Sequence, residues 1–156
     1  MVKAYFAAGC FWGVQQRFSR LPGVSQTAVG YMGGVMDSPD YRSVCTGRTG
    51  HAEVVEVVYD PDKIDFTTLL SWFFEWHDPT QVNRQGPDIG TQYRSAIFPQ
   101  TAAQQTEAEE KISQLNQSGH YSQPIATTLE TSDQFWIAED YHQDYLDKRG
   151  LGHCGI

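Results

Sequence analysis

Cysteine 10 stands in Gly9-Cys10-Phe11-Trp12-Gly13, where the apolar run Tyr5-Phe6-Ala7-Ala8 meets an amphipathic segment. The run reads as a strand. Phe11, Val14, Phe18 and Leu21 form one face of a helix. A thiol at such a junction meets unpaired backbone N–H groups and the positive end of a helix dipole, and both favour thiolate over thiol. The flanking glycines let the backbone approach a ligand closely. Phe11 and Trp12 follow too early in the helix for both to enter the core, so a nucleophilic thiol beside an aromatic wall is one reading. The other is a buried structural cysteine, since free cysteines are often buried.

The second group is a carboxyl. Gly50-His51-Ala52-Glu53 runs into the β-branched stretch Val54–Tyr59, and a period of two puts Glu53 on the face of Val55, Val57 and Tyr59. A carboxyl heading an apolar face is partly desolvated, which raises its pKa and makes it a proton donor near neutral pH. A strand-end glutamate reaching solvent fits the same pattern. Tyr41 and Tyr93 lie in the two longest irregular stretches; each phenol could donate to a polar substrate oxygen or cap the core with its hydroxyl wet. By default Asp88 is a surface residue, His142 a structural histidine and Cys45 a small packed residue.

These groups need elements to hold them. Leu21-Pro22-Gly23 stops the first helix, and Val24–Tyr31 alternates as a strand. Residues 33–50 read as loop. Asp65 caps a helix running through Trp76, with Phe66, Leu69, Leu70, Phe73 and His77 on one stripe. A loop spans Asp78–Gln92, and loops of that length in compact domains are usually functional or disordered. Arg94–Phe98 is a strand, Pro99 leads into a polar helix ended by Gly119, Ile125–Glu130 is a strand, and a short helix carries Tyr141, Tyr145 and Leu146. Strands and helices intermix without strict βαβ order, which gives an α+β fold with one central sheet.

Composition narrows the function classes. The 156 residues fit a single domain, 1–156, with a glycine-rich tail from about residue 150 expected to be mobile. The net charge of −8 argues against nucleic acid and against an anionic membrane surface. No apolar run reaches membrane-spanning length, so a soluble, cytoplasmic chain is expected. Three cysteines, at 10, 45 and 154, are too few for a disulfide framework, and their spacing with His51, His142 and His153 is not that of a metal site. Cys154 sits in the glycine-rich tail, and a mobile thiol can reach a reactive one.

Taken in order, the motifs resemble one known family. Gly9-Cys10-Phe11-Trp12-Gly13 is similar to the signature of the A-type peptide-methionine sulfoxide reductases. The likeness continues through Gly30-Tyr31-Met32-Gly33-Gly34, Tyr41-Arg42-Ser43-Val44-Cys45, Thr49-Gly50-His51-Ala52-Glu53, Asp78-Pro79-Thr80-Gln81, Gln85–Ser95 and Ala138-Glu139-Asp140-Tyr141-His142-Gln143. The resemblance implies a two-layer α+β domain with a central mixed sheet, flanking helices and a ferredoxin-like core. It implies reduction of the S epimer of methionine sulfoxide, free or in oxidised proteins, as a repair activity under oxidative stress. In that scheme Cys10 is the nucleophile and Glu53 the acid; Tyr41 and Tyr93 hydrogen-bond the sulfoxide oxygen. Phe11 and Trp12 wall the pocket for the substrate methyl, and Asp88 is a polar pocket residue. Cys154 resolves a Cys10 sulfenic acid as a disulfide, which thioredoxin reduces. No cofactor and no metal are implied, and a monomer is expected. Some family members carry a second tail cysteine that relays the disulfide; this chain has none, so thioredoxin would attack a Cys10–Cys154 bond directly.

Other chemistries compete. A cysteine hydrolase needs a histidine base, for which His51 and His142 are the candidates, and it leaves Glu53 unexplained. A thiol peroxidase needs no aromatic methyl pocket. A non-enzymatic binder of oxidised methionine would tolerate loss of Cys10.

Overall fold

A computed structural model describes residues 1–150. The expected tail and its Cys154 lie outside the described residues. Strand β1 (Val2–Ala8) feeds through Gly9 and Cys10 into helix α1 (Phe11–Ser19), and β2 (Val24–Met32) follows. Helix α2 (Tyr41–Cys45) precedes β3 (Ala52–Tyr59) and α3 (Phe66–Glu75). A two-residue hairpin, β4 (Arg84–Gln85) and β5 (Asp88–Ile89), leads to a 3₁₀ turn at Thr91–Tyr93 and then β6 (Ser95–Ile97). Helix α4 (Ala102–Ser118), β7 (Thr128–Leu129), β8 (Trp136–Ile137), a 3₁₀ turn at Asp140–His142 and α5 (Tyr145–Lys148) complete the described chain.

The main sheet has six strands in the order β7-β6-β1-β3-β2-β8. The β1–β3, β1–β6, β2–β3 and β2–β8 pairs are antiparallel, and β6–β7 is parallel. The α+β expectation with a central mixed sheet is met. β1 is almost unbroken apolar sequence because both its faces are covered. Ala4, Phe6 and Ala8 pack in the larger cluster, with α1 and α3. Tyr5 and Ala7 pack in a smaller cluster with Met32, Val54, Phe98 and Phe135. Phe6 is the hub of the larger cluster, with ring centroids 5.0 Å from Phe18, 5.9 Å from Phe66 and 5.2 Å from Phe73. Its replacement by alanine would cost about 3–5 kcal/mol.

Local signals explain the helix ends. The Asp65 carboxylate accepts the Thr68 N–H at 2.8 Å, which starts α3. Gly119 ends α4 in the left-handed region at φ 75°. The 33–50 stretch, expected as loop, contains α2. Its start is a capping box in which Asp40 takes the Ser43 N–H and Ser43 takes the Asp40 N–H. Five residues are too few for a legible apolar stripe. The 78–92 loop holds the β4–β5 hairpin and the 3₁₀ turn, and the strand expected over 125–130 shrinks to two residues.

Candidate active site

Cys10 is the N-cap of α1 and is half-buried. Its predecessor Gly9 has φ +91°, and a Cβ there would lie 2.8 Å from the Cβ of Gln85, so only glycine fits. Gln85 is buried and clamps the main chain of Asp78, accepting its N–H and donating to its carbonyl, both at 3.0 Å. The 78–92 segment is thereby tacked beneath the thiol. α1 has no acidic residue in its first turn. The carboxyl that meets this turn comes from β3.

That carboxyl belongs to Glu53, which is 2 % exposed. Its Oε1 accepts the Phe11 N–H at 3.2 Å, one residue after Cys10. β3 alternates between two faces: Val55, Val57 and Tyr59 lie in the α1–α3 cluster, and Val54 lies in the other. Glu53 heads the first face and turns toward the start of α1.

Tyr41 and Tyr93 both feel the charge of Glu53. The Tyr93 hydroxyl is held protonated by burial, reinforced by the charges of Glu53, Cys45, Asp88 and Cys10. The Tyr41 hydroxyl is also held protonated, first by burial, then by a hydrogen bond with the Cys45 thiol and by Glu53 and Tyr93. Both phenols are therefore neutral donors. Tyr93 is fixed through its neighbour Arg94. The Arg94 guanidinium makes two 2.8 Å bonds to Glu130 and also donates to the carbonyls of Gly50 and Thr91. It thus joins the Tyr93 turn to the head of the strand that carries Glu53.

The two aromatic residues after Cys10 part company, as their helical positions required. Phe11 is 1 % exposed, packed against Tyr31 and His142 behind the site surface. Trp12 is half-buried and stacks on Tyr145 with centroids 3.7 Å apart and planes 4° from parallel. Its indole N–H donates to His142 Nδ1 at 2.9 Å. The indole is a donor only, so Nδ1 carries the lone pair and the neutral ring holds its proton on Nε2. Burial pulls the His142 pKa down, against an upward pull from Glu139. Tyr41 also packs on this ring, 4.5 Å between centroids. His142 is structural in the sense expected, and what it holds together are Phe11, Trp12 and Tyr41.

Asp88 lies on the other flank of Cys10. The two residues line a cavity of about 600 Å³ together with Arg17, Trp76, Asp78 and Gln85. Cys45, expected to be packed, is exposed. Val44 takes the core position instead, because α2 turns that face inward. Burial raises the Cys45 pKa, with Glu53 and Glu139 adding to it and the Tyr41 bond opposing. His51 is buried, and burial followed by Arg94 pulls its pKa down. Neither Cys154 nor its distance from Cys10 lies within the described residues.

Glu139, His142, Tyr145 and Arg94 were not identified as site residues from residue types. Their roles depend on partners up to 130 positions away, as with Trp12 and His142.

A thiol at a helix start, a buried carboxyl on the next N–H and two neutral phenols that feel that carboxyl's charge are the groups of a thiol enzyme. Comparison with known proteins makes this specific. A family model described as "Peptide methionine sulfoxide reductase" matches residues 2–156. A relative from Methanoculleus marisnigri, named peptide methionine sulfoxide reductase MsrA, is 56 % identical over 97 % of this chain and 93 % of its own length. Reduced Mxr1 from Saccharomyces cerevisiae superposes with a TM-score of 0.87 at 39 % identity, covering 98 % of this chain and 88 % of that one. Mxr1 in complex with Trx2 matches with a TM-score of 0.61 at 25 % identity, covering 92 % and 84 %. The chain belongs to the peptide methionine sulfoxide reductase family, whose members reduce methionine sulfoxide, and its curated relatives are of the MsrA type. No helix among the described residues is long and apolar enough to cross a membrane.

Proposed function

We propose that the chain reduces the S epimer of methionine sulfoxide, free or in oxidised proteins, with Cys10 as nucleophile and Glu53 as proton donor. The observation that carries this reading is the Glu53 carboxyl held on the N–H next to Cys10. A sulfoxide sulfur is weakly electrophilic until its oxygen is protonated or strongly hydrogen-bonded. Removal from water favours the neutral, proton-donating form of a carboxyl, while the Phe11 N–H favours the charged form, so the site sets two opposed pulls on Glu53. Tyr41 and Tyr93 donate to the same oxygen, and Trp12 walls the methyl, with Phe11 backing that wall. Asp88 serves the polar side of the site. The Cys10 thiolate, favoured by its helix start, attacks sulfur. The protonated oxygen then passes from the methionine sulfur to the Cys10 sulfur as the new S–S bond breaks, so methionine leaves, Cys10 becomes a sulfenic acid, and the enzyme is oxidised by two electrons. Cys154 condenses with the sulfenic acid, releasing water and leaving a Cys10–Cys154 disulfide. A thioredoxin dithiol then reduces that bond by exchange. The complex of yeast Mxr1 with Trx2 supports thioredoxin as the reductant.

A thiol-recycled catalyst needs a standing supply of reductant, which favours the cytoplasm and a role in protein repair. A site assembled within one chain needs no second copy, which supports a monomer. The strand order β6-β1-β3-β2, with α1 and α3 as connections, supports a ferredoxin-like core.

The test is Cys154→Ser. It should release one methionine per enzyme but fail to cycle with thioredoxin. Mass spectrometry after one turnover should find the Cys10–Cys154 disulfide in the parent and a trapped sulfenic acid or its adduct in the variant. Normal thioredoxin-driven turnover of the variant would assign the resolving step to another thiol.

A further inference from the structure

The 138–143 segment packs on Trp12 and Tyr41 through His142, and Glu139 within it has no part in the chemistry above. Its Oε2 accepts the main-chain N–H of Tyr41 at 3.0 Å, across 98 positions of sequence. Its Oε1 accepts the Tyr31 hydroxyl at 2.9 Å. The Tyr141 hydroxyl approaches Oε2 at 3.5 Å. Tyr31 is fully buried and sits directly opposite Glu53 in the β2–β3 register. Tyr41 is the first residue of α2, and the Asp40 cap takes the N–H of Ser43, leaving the Tyr41 N–H for Glu139. One carboxylate therefore joins the helix that carries the phenol to the strand pair that carries the acid.

The charge of Glu139 strengthens both bonds. An amide of the same shape keeps both contacts only with its oxygen on the Tyr41 N–H and the Tyr31 hydroxyl turned to accept, and it loses the charge on each. A five-residue helix has little hydrogen-bonding of its own to fix its orientation, so its first N–H is an effective point to dock it.

We propose that Glu139 is a positioning residue for the reaction. It sets the Tyr41 hydroxyl on the substrate oxygen by holding the first N–H of α2 at a fixed place relative to Glu53. The proposal rests on Tyr41 being a donor to that oxygen.

The test is a double-mutant cycle read as the single-turnover rate of methionine formation at saturating S-sulfoxide. Glu139→Gln should slow that step roughly 10- to 100-fold, the effect of losing a hydrogen bond to a charged group. In a Tyr41→Phe background the same change should cost less than about twofold, because the hydroxyl it positions is gone. Equal losses in both backgrounds would reduce Glu139 to a general structural residue and overturn the proposal. So would an unchanged rate in Glu139→Gln beside a slow Tyr41→Phe. Tyr41→Phe as fast as the parent would instead remove the Tyr41 reading, and this proposal with it. If Glu139→Gln does not fold, Tyr31→Phe takes its place. It deletes only the hydroxyl on Oε1 and should give a smaller loss that again vanishes in the Tyr41→Phe background. An equal loss in both backgrounds would overturn the proposal.

Discussion

Glu53→Gln separates proton donation from every other role of that side chain. The substituted amide keeps the shape, and its carbonyl oxygen can still accept the Phe11 N–H now held at 3.2 Å. The start of α1 and the seat of Cys10 should survive, and stability should change by no more than about 1 kcal/mol, the net worth of one hydrogen bond. The proton is what is lost. A positioned acid contributes roughly 10²–10⁴-fold to a chemical step, or about 2.7–5.4 kcal/mol of barrier. Tyr41 and Tyr93 remain as neutral donors, held protonated mainly by burial. They polarise the oxygen without surrendering a proton readily, so the loss should fall within that range and not vanish. The assay is rapid-quench single turnover of the S-sulfoxide, with enzyme in excess and no reductant. Methionine is measured before any disulfide can limit the rate. A rate within about threefold of the parent, in protein with parental melting behaviour, would refute the reasoning and return Glu53 to a helix-capping role.

Two further outcomes follow from the same geometry. Trp12→Ala removes the proposed wall for the substrate methyl and the partner of His142 Nδ1. Substrate affinity should fall at least about tenfold by isothermal titration with Cys10→Ser protein at matched folded fraction, an effect of the size expected for a lost apolar contact; unaltered affinity would make Trp12 a packing residue only. His77 is buried with Nδ1 on the Phe73 carbonyl and Nε2 on Ser95, and burial brings its pKa down to about 4. The unfolded chain takes up the proton near its ordinary value of about 6.5 while the folded chain refuses it, so stability is full above that pH and falls as pH drops toward 4. The loss approaches about 3 kcal/mol at most, and urea unfolding at pH 7 and pH 5 should show most of the slope disappearing in His77→Gln.

The legible parts of the chain were those set by short-range chemistry. The Gly9-Cys10 junction, the Asp65 cap, the Gly119 stop and the two faces of β3 follow from residues within a few positions of one another. Glu53 could be placed on a face by period alone, but its partner on α1 could not be inferred from that period. The pocket wall was the least legible. His142 and Glu139 act through Trp12, Tyr31 and Tyr41, partners about 100 or more positions away, and no local propensity encodes such a bond. α2 was missed because its start is a capping box in an otherwise polar stretch, with Val44 as its one fully buried residue. Cys45 was misplaced for the same reason: without the helix there was no basis for assigning which of Val44 and Cys45 faces inward.

The central claim is that Cys10 performs the reduction and carries away the oxygen. Single turnover of each sulfoxide epimer, with thiols counted before and after, tests it most directly. The account predicts stoichiometric methionine from the S epimer only, with Cys10 consumed, and none from Cys10→Ser. Methionine from Cys10→Ser in a single turnover, or equal turnover of the R epimer, would contradict it.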